Sequence, residues 1–143
     1  MVTTARCVTA FAFAILLAAG PVVAADEPDL EQEATDAAEA WLELIDAGEY
    51  DDSWEAAAAY FKRAVKQEKW REMAAAVRGP LGDVLSREVK ATEYRTTLPG
   101  APDGEYVVIQ FATSFENKKS AVETVTPMRD NDGAWRVSGY FIR

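Results

Sequence analysis

Histidine is absent from all 143 residues, and cysteine occurs once, at Cys7. Without histidine there is no Ser-His-Asp triad. Beyond Cys7 there is no thiol nucleophile, no disulfide and no Cys/His zinc site. Cys7 also precedes the apolar run Val8 to Ala19, so it is not the lipid-bearing cysteine of a lipoprotein, which would follow such a run at the cut. Phosphate-cradling loops are missing too: "GPLG" and "PGAPDG" have neither the spacing nor the lysine of that motif. These absences exclude the familiar nucleophilic, zinc and nucleotide chemistries, and no catalytic residue, metal or cofactor is expected.

Charge is scarce at the start of the chain. "MVTTARCVTAFAFAILLAAGPVVAADE" offers one cation, Arg6, then an apolar core, a Gly-Pro break and small residues at Val22 to Ala25. This pattern predicts a secretory signal peptide over residues 1–25, cut after Ala24 or Ala25, and a periplasmic or secreted protein. An uncleaved anchor is the alternative, although the run is short of the about 20 apolar residues that span a bilayer. Removing residues 1–25 would leave 118 residues without cysteine. That length suits one domain, 26–143, held by its core alone.

Bases are missing from the next stretch. Residues 26–55 hold 13 acids and no base, whereas 56–143 hold 11 acids and 14 bases. The whole chain carries a formal −9. Such a surface repels nucleic acid and anionic lipid, so neither is expected as a partner. The acidic run reads as a solvated helix face or as a docking face for a basic protein.

What is present is first helical. Asp29 is placed to cap a helix, with Gln32 as its capping-box partner, and Ala34, Ala37, Ala38, Trp41, Leu42 and Ile45 recur at helical spacing up to Gly48. Asp51 or Asp52 would cap a second helix with Trp54, Ala57, Ala58, Phe61 and Val65 as its buried stripe. A third starts near Gln67, with Trp70, Met73, Ala74 and Val77 inward, and ends at "RGPLG", where Pro80 lacks an amide hydrogen. Val, Thr, Tyr and Phe then replace Ala. Strands are expected over Val84 to Leu98, Glu105 to Phe115, Ala121 to Arg129 and from Ala134 onward. In the second of these, Val107, Ile109, Phe111 and Phe115 point one way and Gln110 and Ser114 the other. Pro127 suits an edge or a bulge, and Gly139 marks a bulge or bend. In the last strand Trp135, Val137 and Phe141 would share one face, and Tyr140 the other with Arg136 and Ile142. The fold class is therefore α+β: three N-terminal helices packed on a strongly curved four-stranded antiparallel sheet.

"DNDG" (Asp130 to Gly133) has the look of a calcium loop. An EF-hand loop counted from Asp130 needs Gly at its sixth position and Glu at its twelfth. Those positions are Trp135 and Phe141, so the stretch reads as a hairpin turn.

The order of elements, with "LIDAGEYDDSWE" and "DGAWRVSGYFI", resembles the nuclear-transport-factor-2-like superfamily, whose members form a cone with an internal pocket. More closely, "AWLELIDAGEYDDSW", "VRGPLGDVLSR", "TTLPGAPDGEYVVIQF", "VETVT" and "DGAWRVSGYFIR" resemble the bacterial domain-of-unknown-function family 4019. The resemblance implies a cone-shaped fold and no particular activity. The superfamily includes ketosteroid isomerases and scytalone dehydratases, but no acid of this chain aligns to their catalytic acids, and fold likeness alone does not carry activity across.

Five residues are candidate pocket groups. Glu123 stands in an otherwise apolar and Thr-bearing strand, and a carboxylate buried there needs a cation or several donors. Arg78 and Arg87 flank the junction of helices and sheet. They would either pair with Glu123, tying sheet to helix, or grip an anionic ligand. Tyr94 and Tyr140 would offer hydroxyls inside a cone, while Trp41 and Trp70 read as core. The function expected is a non-catalytic exported module binding a small apolar ligand or an envelope protein. The alternatives are a small lyase or isomerase using a pocket Asp or Glu with Tyr, and a domain that forms a homodimer through its sheet.

Overall fold

The computed structural model describes residues 29–143; the expected signal peptide lies outside them. Asp29 opens α1 (Leu30–Asp46), its carboxylate accepting from the N–H groups of Glu31 and Gln32. The capping box does not close, because the Gln32 side chain donates forward to Asp36 at 2.7 Å. α1 ends where Gly48 takes φ +73°, with Gly48 N–H donating to the Ile45 carbonyl and Glu49 N–H to that of Leu44. Only glycine takes that backbone without strain.

The expected second helix is two. α2 (Tyr50–Glu55) follows Glu49, which makes no side-chain cap, and Asp51 and Asp52 lie inside its first turn. α3 (Ala59–Ala64) begins after Ala58, which is extended and donates its N–H to the Val137 carbonyl at 2.8 Å. Ala57 and Ala58 are wholly buried. Four alanines favour helix, but a tertiary bond and burial outweigh a propensity of a few tenths of a kcal/mol per residue. α4 (Gln67–Arg78) runs on into a single 3-10 turn, Gly79–Leu81, which accommodates Pro80.

The sheet is an open antiparallel meander in the order β1 (Val84–Arg95), β2 (Tyr106–Phe115), β3 (Lys118–Arg129), β4 (Trp135–Ile142). β1 stops at Arg95 rather than Leu98. β2 buries Val107, Ile109, Phe111 and Phe115, as its alternation predicts. β3 lies inside the sheet, so Pro127 marks a bulge and not an edge. Thr126 pairs with Gly139 and Pro127 with Val137, leaving Ser138 as the extra residue. Its hydroxyl donates to the Thr126 carbonyl at 2.7 Å.

That extra residue reverses the inside–outside alternation of the closing strand. Val137 is buried and Tyr140 packs against the core, while Phe141 is 56 % exposed. The expected grouping of Phe141 with Trp135 and Val137 is therefore wrong, because one inserted residue moves every later side chain to the other face. Between helices and sheet lie Trp41, Leu42, Ile45, Trp70, Ile109 and Phe111, among others. Helices followed by an open four-stranded antiparallel sheet make the α+β fold expected, consistent with a nuclear-transport-factor-2-like arrangement.

Candidate functional site

The inward positions of three strands converge on Glu123, which has no exposed surface. Its Oε1 accepts from Arg87 Nε on β1 at 2.8 Å and from the Thr113 hydroxyl on β2 at 2.6 Å. Its Oε2 accepts from the Tyr140 hydroxyl on β4. The Ser138 bulge is what brings Tyr140 to this face.

Arg87 carries the network from sheet to helix. Its Nη1 and Nη2 donate to the two oxygens of Asp46, in the last turn of α1, at 2.7 and 2.9 Å. Burial works against the charge of Arg87, but its bonds to Asp46 and Glu123 outweigh that, and its pKa is raised. Burial likewise acts to raise the Asp46 pKa, and the two arginines, Arg87 foremost, outweigh it and lower it. Asp46 thus contributes stability above its unfolded pKa that is lost as pH falls through its folded one.

Arg78 is the second cation. Its Nη2 donates to Asp46 Oδ1 at 2.9 Å and its side chain is 5 % exposed. Nε and Nη1 are buried and find no hydrogen-bond partner among the described residues. The guanidinium carbon lies 5.0 Å from the centroid of the Phe115 ring, a cation–π contact that offsets part of that cost.

Four of the five candidate residues therefore meet: Arg78, Arg87, Glu123 and Tyr140. Tyr94 does not. It sits on β1, 37 % exposed, donating to Glu105 at 3.2 Å. Alternation along a bulged strand gave no sound guide to its direction: β1 slips register between Val84 and Ser86 and again between Val89 and Ala91. Asp46 and Thr113 were missed. Asp46 had a signal, since an acid in the last turn of a helix opposes the macrodipole and calls for a cation. Thr113 had a weaker one, lying between Phe111 and Phe115 on the inward face of β2.

The Tyr140 ring stands edge-on to Trp41, with centroids 5.3 Å apart. Burial foremost, then the charge and hydrogen bond of Glu123, push its pKa well above the usual tyrosine value. The folded state therefore favours the phenol. That contribution is complete below the unfolded pKa of about 10 and is lost as pH rises above it. In an alkaline titration followed by phenolate absorbance, Tyr140 should ionise only as the protein unfolds, and Tyr140→Phe should delete that unfolding-linked phase. A Tyr140 that ionises near pH 10 in the folded protein would contradict the buried bond.

Beside this network opens a groove of about 210 Å³. One wall is α4, through Trp70, Met73, Ala74 and Val77; the other is the end of β4, through Tyr140, Phe141 and Ile142. Arg78 is its charged lining residue among the described ones. Met73, Val77 and Phe141 are 47, 51 and 56 % exposed, so apolar surface continues onto the rim. The turn at Asp130 is separate: Gly133 N–H donates to the Asp130 carbonyl at 2.8 Å, and the carboxylates of Asp130 and Asp132 pair with Arg136.

Chemically, the network positions and neutralises, and the groove can hold an apolar body. The oxygens of Glu123 face Arg87, Thr113 and Tyr140 rather than the groove. A search of the curated proteins finds no match. A family model described as "Protein of unknown function (DUF4019)" matches residues 37–140, from within α1 to Tyr140. With the match spanning most of the chain, and taking in all of the buried network, the protein belongs to that family.

Proposed function

We propose that the protein is an exported, non-catalytic module that binds a small apolar ligand in the groove between α4 and β4. The observation that carries the reading is the groove itself: a concave surface of about 210 Å³ with chiefly apolar walls and exposed Met73, Val77 and Phe141 at its rim. Apolar concavities with one or two polar groups are the usual form of small-molecule sites, and contiguous exposed apolar surface marks binding more often than it occurs idly. The leader-like residues 1–25 support export. The lyase or isomerase alternative would need a carboxylate facing the groove, and the Glu123 oxygens are taken up by three donors.

Binding of 1-octanol, followed by tryptophan fluorescence and by calorimetry, tests the groove. Val77→Glu places a charge at its rim on a half-exposed helical position, where glutamate keeps helix propensity. Desolvating that charge should weaken octanol binding about tenfold, with the thermal midpoint nearly unchanged. Equal affinity in parent and variant would remove the groove as the site.

A further inference from the structure

We infer that the ligand of this groove carries a carboxylate, which pairs with the Arg78 guanidinium at its unpartnered Nε or Nη1, on an apolar body of roughly six to eight carbons. The inference rests on the groove reading above and sharpens it to a ligand class.

The argument begins with an imbalance of donors. Arg78 and Arg87 share Asp46, and Arg87 takes Glu123 as well. Arg87 thereby finds acceptors for all three of its nitrogens. Arg78 finds one, for Nη2, and keeps Nε and Nη1 without an acceptor among the described residues, in a side chain 95 % buried. A buried charged donor without an acceptor is costly, and the Phe115 ring beneath the guanidinium offers no lone pair. A guanidinium presents its donors as planar forks, Nε with Nη2 and Nη1 with Nη2, and a carboxylate matches one such pair at once.

Position makes the acceptor a ligand's. Arg78 belongs to the lining of the groove, and the other lining side chains named above are uncharged. In a chain of formal charge −9, a groove whose charged lining residue is a cation is complementary to an anion. Size sets the rest. An apolar cavity of about 150 Å³ accepts benzene, so the groove's 210 Å³ accommodates a short alkyl or aryl group. The two nitrogens are closed to solvent, so the head group has to part the side chains over them. Phe141, more than half exposed at the end of β4, has room to swing aside.

The test compares octanoate with 1-octanol, which share an alkyl chain and differ in the head group, by calorimetry on the full folded chain. Octanoate should bind roughly tenfold or more tightly than octanol. That preference should vanish as pH falls below the acid's own pKa. Arg78→Met should abolish the preference, so that octanoate and octanol bind the folded variant alike, with its melting curve recorded alongside. Should that variant fail to fold, the head-group comparison and its pH dependence in the parent protein still decide. Equal affinities for acid and alcohol would overturn the carboxylate and leave the groove standing. Binding of neither would overturn both. A preference for octanoate that survives in folded Arg78→Met would assign the anion elsewhere and overturn this pairing.

Discussion

Glu123→Ala should cost about 3 kcal/mol of stability, read as a lower midpoint of urea denaturation with an unchanged slope. Removing one partner of a buried ion pair typically costs about 3–5 kcal/mol, because the other charge remains buried. Here the figure falls at the low end, since Arg87 keeps both bonds to Asp46. The loss lies in Arg87 Nε and in the hydroxyls of Thr113 and Tyr140, which all lose their acceptor at one stroke. Glu123→Gln keeps an oxygen for one of them and turns an NH2 group toward the rest, so it should fall between parent and Ala. A Glu123→Ala variant within about 0.5 kcal/mol of the parent, the usual range of an inconsequential surface change, would mean that the network is not formed in solution.

Trp41→Ala should cost about 3–5 kcal/mol, the usual range for truncating a large buried aromatic, and lower the melting midpoint by roughly 10–20 °C for a domain of this size. Trp41 is 3 % exposed and joins the helical layer to the sheet. Its indole N–H donates to the Ser53 carbonyl at 2.8 Å, and its ring meets Trp70 and Tyr140 at centroid distances of 5.9 and 5.3 Å. Trp41→Phe separates packing from hydrogen bonding: it keeps most of the ring contact and leaves the Ser53 carbonyl without its donor, for about 1 kcal/mol. If the two variants melt together, the hydrogen bond and not the packing dominates, contrary to this expectation. Because a domain of this kind has only about 5–15 kcal/mol in total, Trp41→Ala and Glu123→Ala combined should leave little folded protein.

Period and turn chemistry carried the fold a long way. Helix from Asp29 to Gly48, helix from Gln67, and the inward face of β2 all follow from local pattern, because each has a clean stripe and a stop residue. The helix broken at Ala57–Ala58 was not legible: a run of alanines has no preferred face, and its break is set by Val137, some 80 positions away in sequence. The face of Tyr140 was not legible either. Gly139 signalled a bulge, but a bulge signal does not say which residue is extra, and the parity of everything after Ser138 depends on that. For the site, an acid in an apolar strand together with two arginines at the junction gave Glu123, Arg87 and Arg78. The partner shared by both cations, Asp46, belongs to the acidic run 26–55, in which twelve other acids look much like it.

The two flanks of the sheet have different consequences for self-association. On β4, the carbonyl of Val137 is taken by Ala58, so the helical link covers part of that flank. Among the described residues β1 has no strand beyond it, and Leu85 and Val89 are 56 and 44 % exposed there. A long flat strand of this kind would template the addition of another chain and lead to aggregation. Two register slips, at Val84/Ser86 and Val89/Ala91, interrupt its ladder, and Glu88, Lys90, Glu93 and Arg95 set charges of both signs along it. Copies approaching flank to flank would have to flatten those kinks and match that charge order. The irregularities that blur β1 as a sequence pattern are thus what keep its open side from becoming a fibre seed.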